Sequence, residues 1–181
     1  MLMIVSSLAG AAVFAQGSTA SYSIGAVVSR AAYLRALETS EATGLGLDIK
    51  REQRFGHRFA WTVAAGFNYF TGDYTYLKFN TQQHFTTINH QANIPVLGGV
   101  KYYFGGGFYA SGEVGLLVGA DGNTGTHPAV APSAGYLFAG KHKIDAGIKL
   151  VNVIEGFGIP ENNGLQNGGY GFWSVRVAVE L

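Results

Sequence analysis

The sequence has no cysteine, four prolines and few charges among its 181 residues. The lack of cysteine excludes disulfide frameworks and thiolate chemistry. Charged residues make up 13% of the chain, whereas soluble domains carry about 25%. No apolar run reaches the roughly 20 residues that a transmembrane helix needs. Hydrophobic residues nevertheless reach 48%. This composition predicts a membrane β-barrel, whose alternating strands escape hydropathy windows.

The charges that are present nearly cancel. Twelve basic and eleven acidic residues leave a formal net charge of +1, which gives no electrostatic case for nucleic-acid binding. Residues 1–15 contain an apolar run and the small-residue site Val13-Phe-Ala15, which predict an export signal that is removed before Gln16. A buried first strand or helix is the alternative, because no Lys or Arg precedes the apolar run. We therefore expect one domain, over residues 16–181.

Alternation between apolar and small or polar residues is the strongest pattern in the chain. In residues 59–70 the odd positions carry Phe59, Trp61, Val63 and Phe67, and most even positions are small or polar. A period of two predicts a β-strand with one apolar face. The same pattern predicts eight strands, at about residues 22–28, 43–55, 59–70, 92–104, 108–120, 128–138, 143–150 and 173–181.

The predicted connections alternate in length. Three or four residues follow strands two, four and six, whereas longer connections occupy residues 29–42, 71–91 and 152–169, with an intermediate one at 121–127. An even strand number with short turns at one rim is typical of outer-membrane barrels, which place short turns in the periplasm and longer loops outside. We therefore predict an all-β, eight-stranded, antiparallel, up-and-down transmembrane β-barrel.

Alternation alone does not say which face is outside, since a soluble lipocalin-like barrel would put its apolar face inside. The charged face also carries glycines, which suit a narrow interior, and nearly equal numbers of both charges, which an enclosed lumen requires. We therefore predict a polar lumen network. Its members are Asp48, Lys50, Glu52, Arg54, Lys101, Glu113, Lys143, Asp145, Lys149, Arg176 and Glu180.

The apolar face carries large aromatic residues near strand ends. Rings at both rims are typical of the girdles that sit at the two membrane interfaces. The predicted lipid-facing girdle consists of Phe55, Phe59, Tyr69, Tyr102, Phe104, Phe108, Tyr136, Phe138 and Trp173.

Four segments carry a resemblance to a known family: IPVLGGVKYYF at 94–104, FYASGEVGLLVG at 108–119, APSAGY at 131–136 and KIDAGIK at 143–149. The chain is similar to the outer-membrane β-barrel domain family common in Bacteroidetes, which is related in shape to the small OmpA-type barrels. The resemblance implies an eight-stranded barrel with an export signal, and it implies little about activity. Leu181 stands where such barrels usually end in an aromatic residue that the barrel-assembly machinery recognises.

The sequence predicts no catalytic, cofactor or metal site. Gly105-Gly-Gly107 lacks the Lys-Ser/Thr and the helix of a phosphate loop. His84 and His90 share a predicted loop, but no cysteine or carboxylate completes a metal site. His127, Ser133 and Glu113 are the candidates for a lipid-deacylating triad, and two prolines interrupt their spacing.

Lys101 and Glu113 are predicted to be diagonal neighbours on the lumen face, since the Gly106 turn sets Lys101 opposite Ser111. Two interpretations are open, a gated ion path and a filled interior, and eight strands favour the filled interior. We expect a structural or interaction protein of a Gram-negative outer membrane, with a narrow ion channel or a lipid-modifying enzyme as alternatives. The expected partners are outer-membrane lipid, the barrel-assembly machinery and an envelope or surface molecule bound through the loops.

Overall fold

The computed structural model describes residues 20–33, 42–72, 90–120, 125–140, 143–154 and 170–181. These residues form eight strands, each antiparallel to the next, and β1 also pairs with β8, so that the sheet closes into a barrel. This architecture confirms the predicted fold class. The strands are β1 Ala20–Tyr33, β2 Thr43–Phe55, β3 Phe59–Thr71, β4 His90–Gly105, β5 Phe108–Gly119, β6 Thr126–Phe138, β7 Ile144–Val153 and β8 Tyr170–Glu180.

The two ends of the barrel differ in the length of the connections between strands. The connections at residues 56–58, 106–107 and 139–143 lie at one end, together with the start of β1 and the end of β8. We call this end the short-turn rim. The other end, where β1 finishes at Tyr33 and β3 at Thr71, is the long-loop rim. Gly106 has φ +59° and Gly107 φ +92° in the β4–β5 turn, a backbone conformation that favours glycine.

Several strands extend further toward the long-loop rim than the sequence predicts. Residues 29–33, 90–91, 126–127 and 152–153 were expected in connections and instead belong to β1, β4, β6 and β7. Partners across the sheet explain the difference. Ser29 pairs with Ser174, and Asn152 pairs with Val130 and Gly171. Ladder hydrogen bonds hold these polar residues in strands, although their local pattern lacks the apolar alternation.

The alternation is inverted relative to a soluble protein. Leu45 and Leu47 on the outer face are 66% and 65% exposed, whereas Lys50 and Lys101 inside are 3% and 1% exposed. Burying charges while exposing aliphatic side chains is unfavourable in water and is favourable when hydrocarbon covers the outside. The lipocalin-like arrangement, with the apolar face inside the barrel, is therefore excluded.

Two prolines interrupt the hydrogen-bonded ladder. Between β3 and β4 the paired positions on either side of Pro95 are Ala65 with Val96 and Asn68 with Asn93. Between β6 and β7 a similar gap lies beside Pro132. Proline has no backbone N–H, and a closed barrel offers no free edge where that loss would be harmless. The wall therefore has a local break beside each of these prolines, in addition to the register shift between Tyr103 and Gly105 in the β4–β5 pair.

The predicted export signal at residues 1–15 lies outside the described residues and stays a prediction. Among the residues that the structure describes, no helix has the length and apolar character needed to cross a bilayer.

Replacement of Val114 by arginine tests the orientation of the wall. Val114 is 64% exposed in the middle of β5, and an arginine at the lipid-facing midplane costs about 2–4 kcal/mol. The matched control is Thr126→Arg on β6 at the long-loop rim, where the cost is about 0–1 kcal/mol. Urea titrations in lipid vesicles measure both. Equal costs would contradict a lipid-covered outer face.

Candidate functional site

The interior of the barrel is divided into two layers. The charged layer lies toward the short-turn rim, and the apolar layer lies toward the long-loop rim. The charged layer contains Asp48, Lys50, Glu52, Lys101, Glu113, Asp145, Lys149 and Arg176, most of them buried. The apolar layer contains Ala42, Phe70, Leu97, Leu117, Ala129, Ala131, Val151, Val153 and Phe172.

One chain of ion pairs crosses the charged layer. Arg176 on β8 contacts Asp48 on β2 at 2.7 Å and Asp145 on β7 at 3.3 Å. Lys101 on β4 contacts Asp145 at 3.4 Å and Glu52 on β2 at 2.8 Å. The chain therefore connects four strands through the middle of the barrel, and no member is left without an opposite charge. It has three carboxylates and two basic groups.

Two tyrosines complete this chain toward the short-turn rim. The Tyr103 hydroxyl donates to Glu52 at 2.5 Å, and the Tyr109 hydroxyl donates to Asp145. Lys101 Nζ lies 3.8 Å from the centre of the Tyr109 ring, a favourable cation–π contact. A Cβ on Gly147 would lie 2.7 Å from the Tyr109 hydroxyl oxygen. Glycine at 147 therefore makes room for this tyrosine.

Glu113 is the centre of a second cluster. Its carboxylate contacts Lys149 at 2.5 Å and Lys50 at 3.7 Å, and it accepts a hydrogen bond from Thr62 at 3.3 Å. The register sets Lys101 opposite Ser111, as expected. Lys101 and Glu113 are therefore diagonal neighbours, as predicted, but their side chains form ion pairs with other strands across the lumen. Contacts across the narrow interior displace the contact between neighbouring strands.

The two clusters balance each other. The first carries one excess negative charge and the second one excess positive charge, so that four basic and four acidic groups fill the charged layer. Desolvation of an ion costs several kcal/mol, which only close, opposite charges offset. All eight groups belong to the predicted lumen network. This arrangement can hold the strands together through ion pairs across the lumen.

The remaining three residues of the predicted network lie at the mouth. The Arg54 and Lys143 side chains are 47% and 52% exposed, so they are rim residues and not members of an enclosed lumen. Lys143 pairs with Glu180 at 2.8 Å, and Arg54 lies over the Tyr103 ring at 4.4 Å. Alternation predicts their face but not their depth, because they occupy strand ends.

The predicted aromatic girdle is concentrated at the short-turn rim, where seven rings form an arc. Two rows of touching rings, with centroids 4.6–5.8 Å apart, are Phe55–Phe59–Tyr102–Phe104 and Phe108–Tyr136–Phe138. We call these seven residues the aromatic arc. Tyr69 and Trp173 lie toward the long-loop rim, exposed on the outer face. The described rings therefore mark one rim far more strongly than the other.

The sequence interpretation missed the apolar layer. Phe70 and Phe172 are almost completely buried and pack edge to face, with ring centroids 5.2 Å apart. A signal was present, because Leu97, Leu117 and Val151 occupy inward positions in the halves of their strands nearer the long connections. Treating the whole inward face as polar concealed it.

The structure separates the candidate catalytic residues. His127 and Ser133 lie six residues apart on β6, about 20 Å along a strand. Ser133 instead shares a 2.5 Å hydrogen bond with Ser111. This triad is not assembled. His84 lies outside the described residues, and His90 is exposed at the start of β4. Within the described ranges, no group of three or more potential metal ligands occurs.

No protein-family model matches the chain, and no curated protein matches it. The resemblance to the Bacteroidetes barrel family therefore stays a prediction. The chain is similar to a de novo designed transmembrane β-barrel, with a TM-score of 0.50 and 12% identity over 89% of this chain and 95% of that one. This likeness shows the fold alone.

Two solved structures of Ail, the attachment invasion locus protein of Yersinia pestis, are also similar to the chain. The complex with the heparin analogue sucrose octasulfate has a TM-score of 0.49 and 14% identity, over 90% of this chain and 97% of that one. The second Ail structure has a TM-score of 0.47 and 16% identity, over 91% and 99%.

A double-mutant cycle on Glu113 and Lys149 tests the second cluster. Glu113→Gln leaves Lys50 and Lys149 buried without their carboxylate, which should cost about 3–5 kcal/mol of unfolding free energy. Adding Lys149→Met should recover part of that loss, with a coupling of about 0.5–3 kcal/mol. Urea titrations in vesicles measure the four proteins.

The exposed pair Lys143–Glu180 is the control for this cycle. Its N–O distance is 2.8 Å, but Lys143 is half exposed, so Lys143→Gln should cost less than about 1 kcal/mol. Strict additivity of Glu113→Gln and Lys149→Met would show that the two residues do not share a network.

Proposed function

We propose that the chain is a small outer-membrane β-barrel of a Gram-negative bacterium, closed to ions, with a structural or interaction role carried by the segments at its long-loop rim. The observation that supports it most is the two-layer filling of the interior. An ion entering from the long-loop rim would meet Phe70, Phe172 and Leu117, and one entering from the other rim would meet eight paired charges. Among the described residues, both layers therefore place side chains across the path of an ion.

The outer surface supports a membrane location. Aliphatic side chains such as Ile49, Val114 and Val177 are about half exposed or more, which hydrocarbon accommodates and water penalises. The aromatic arc fits the interfacial position that Tyr and Phe rings take in such barrels. Outer-membrane lipid is therefore the first partner of this proposal, and the barrel-assembly machinery that inserts such proteins is the second.

The long-loop rim is the remaining place for a specific function. In this proposal lipid covers the outer face of the barrel, and side chains fill the lumen. An envelope or surface partner would therefore contact the connections between strands. Residues 73–89 and 155–169 are the longest of these segments, and long surface loops of outer-membrane barrels face the outside. The proposal includes no enzymatic step and no nucleic acid.

Planar-bilayer recordings test closure of the interior. The unmodified protein should show no steady conductance, because the two layers block the lumen in series. Phe70→Gly with Phe172→Gly should also stay silent while the charged layer is intact. Combining these changes with the neutral pair Lys101→Ala and Asp145→Ala should give discrete current steps.

Removal of two outward rings, Phe59→Gly with Phe67→Gly, is the control, because it deletes similar bulk from the other face. Steady, ion-selective current from the unmodified protein would contradict a lumen that is closed to ions and would favour the channel alternative.

Loop replacement tests the interaction role. Residues 73–89 are replaced by a short Gly/Ser linker, which should leave the barrel folded, because the change leaves the sequences of the eight described strands intact. Crosslinked partners are then isolated from native envelopes with both proteins. A partner captured by the unmodified chain should be lost from the variant, whereas the 106–107 turn, extended by the same linker, should retain it. Identical partners in all three would contradict a role for this loop.

A further inference from the structure

Arg51 is a cation on the apolar outer face. Along β2 the outward residues are Leu45, Leu47 and Ile49, all more than half exposed, and Arg51 is the next one. Its cross-strand neighbours are Tyr22 on β1 and Val63 on β3. The adjacent charged residues, Lys50 and Glu52, point into the barrel. Arg51 therefore stands apart from the lumen network.

The guanidinium of Arg51 is held between two aromatic rings. It lies 4.9 Å from the centre of the Trp61 ring and 6.0 Å from that of Tyr22. Among the described residues, it donates a hydrogen bond to Gln53 Oε1, at 3.3 Å. In the described part of the chain, no carboxylate lies within ion-pair distance of it. Every basic residue of the charged layer, by contrast, has such a partner.

The register places Arg51 close to the short-turn rim. Tyr22 O accepts a hydrogen bond from Leu181 N just past the end of β8, and Gln53 pairs with Ala20, the first residue of β1. The hydrogen bond to Gln53 directs the guanidinium toward this rim. Long basic side chains on a lipid face extend in this way to reach the headgroup level.

The rim around Arg51 is basic. Arg54, Arg58 and Lys143 are exposed there, and Arg58 donates a hydrogen bond to the Tyr102 hydroxyl at 3.2 Å. Lys143 is paired with Glu180, and Arg54 Nε lies 3.9 Å from Glu52, so that Arg58 is the one of these three without a carboxylate partner among the described residues. Basic groups at a membrane surface attract anionic lipids. Arg51 and Arg58 therefore favour an anionic headgroup at this rim.

We propose that Arg51, Trp61 and Tyr22 form a binding site for the phosphate of an anionic phospholipid in the leaflet at the short-turn rim. The proposal rests on the membrane location argued above. The guanidinium has five N–H donors, of which Gln53 takes one, and its fork matches two phosphate oxygens. The rings fix its plane, while Val63 and Ile24 lie beside it on the outer face, where acyl chains would run.

Tryptophan quenching by brominated lipids tests this site. The chain has two tryptophans, so Trp173→Phe leaves Trp61 as the reporter beside Arg51. The protein is refolded into phosphatidylcholine vesicles that contain equal mole fractions of either brominated phosphatidylglycerol or brominated phosphatidylcholine. At Trp61 the anionic lipid should bind about fivefold more strongly, the ratio expected for one basic group at a membrane surface. Arg51→Gln should reduce this ratio to about one.

The reciprocal variant, Trp61→Phe, is the internal control. Its remaining Trp173 lies toward the opposite rim beside Arg30, and the quenching there should not change with Arg51→Gln. Arg51→Lys keeps the charge but lacks the fork of N–H donors. Its ratio of anionic to zwitterionic lipid binding should fall between the ratios of the proteins with Arg51 and with Gln at this position, and the value shows how much of the preference is due to charge alone. If Arg51→Gln fails to fold, Arg51→Lys takes its place as the test.

Excess inorganic phosphate distinguishes a lipid headgroup from a free ion. It should lower the ratio no more than chloride at equal ionic strength, and a specific loss would overturn the lipid assignment. The lipid assignment would also be overturned by a binding ratio near one at the unmodified site, or by a fivefold ratio that is unchanged in Arg51→Gln. If neither brominated lipid quenches Trp61, the membrane location itself fails. Equal quenching by both leaves the membrane location intact and rejects only the site.

Discussion

Closure of the hydrogen-bonded sheet is the constraint on which the rest of this protein depends. When β1 pairs with β8, no strand has a free edge, and the inward side chains away from the two rims are enclosed by eight strands. An eight-stranded barrel is just wide enough for its own side chains to fill. The composition of the inward face therefore decides whether the interior is stable, and the outer face is left for lipid.

The interior meets this constraint by pairing charges across the lumen. Arg176 and Lys101 each contact carboxylates on other strands, and Glu113 lies between two lysines. A lone buried charge would be strongly destabilising, because its desolvation would not be offset. The balance of four basic and four acidic groups in the charged layer follows from the same requirement. Near the long-loop rim, buried apolar side chains fill much of the space, together with the buried uncharged residues Ser29, Asn68 and Asn93.

The rims differ in character, and this difference bears on how the barrel sits in a bilayer. The short-turn rim combines the aromatic arc with Arg51, Arg54 and Arg58. Rings and basic groups together match the boundary between hydrocarbon and anionic headgroups. Among the described residues, the opposite rim carries only a few such rings, Tyr69 and Trp173 among them. The proposed loop function and the proposed lipid site thus occupy opposite ends of the barrel.

The sequence by itself determined the strand number, the facing of residues and the closed antiparallel order, because a two-residue period and alternating connection lengths are local properties. It did not determine that Ser29 and Asn152 belong to strands, since their partners lie elsewhere in the chain. Nor did it decide that Glu113 would pair with Lys149 and not with Lys101. It also did not separate the interior into charged and apolar layers. Those features depend on which side chains meet across the lumen, and only the register and curvature of the closed sheet set those distances.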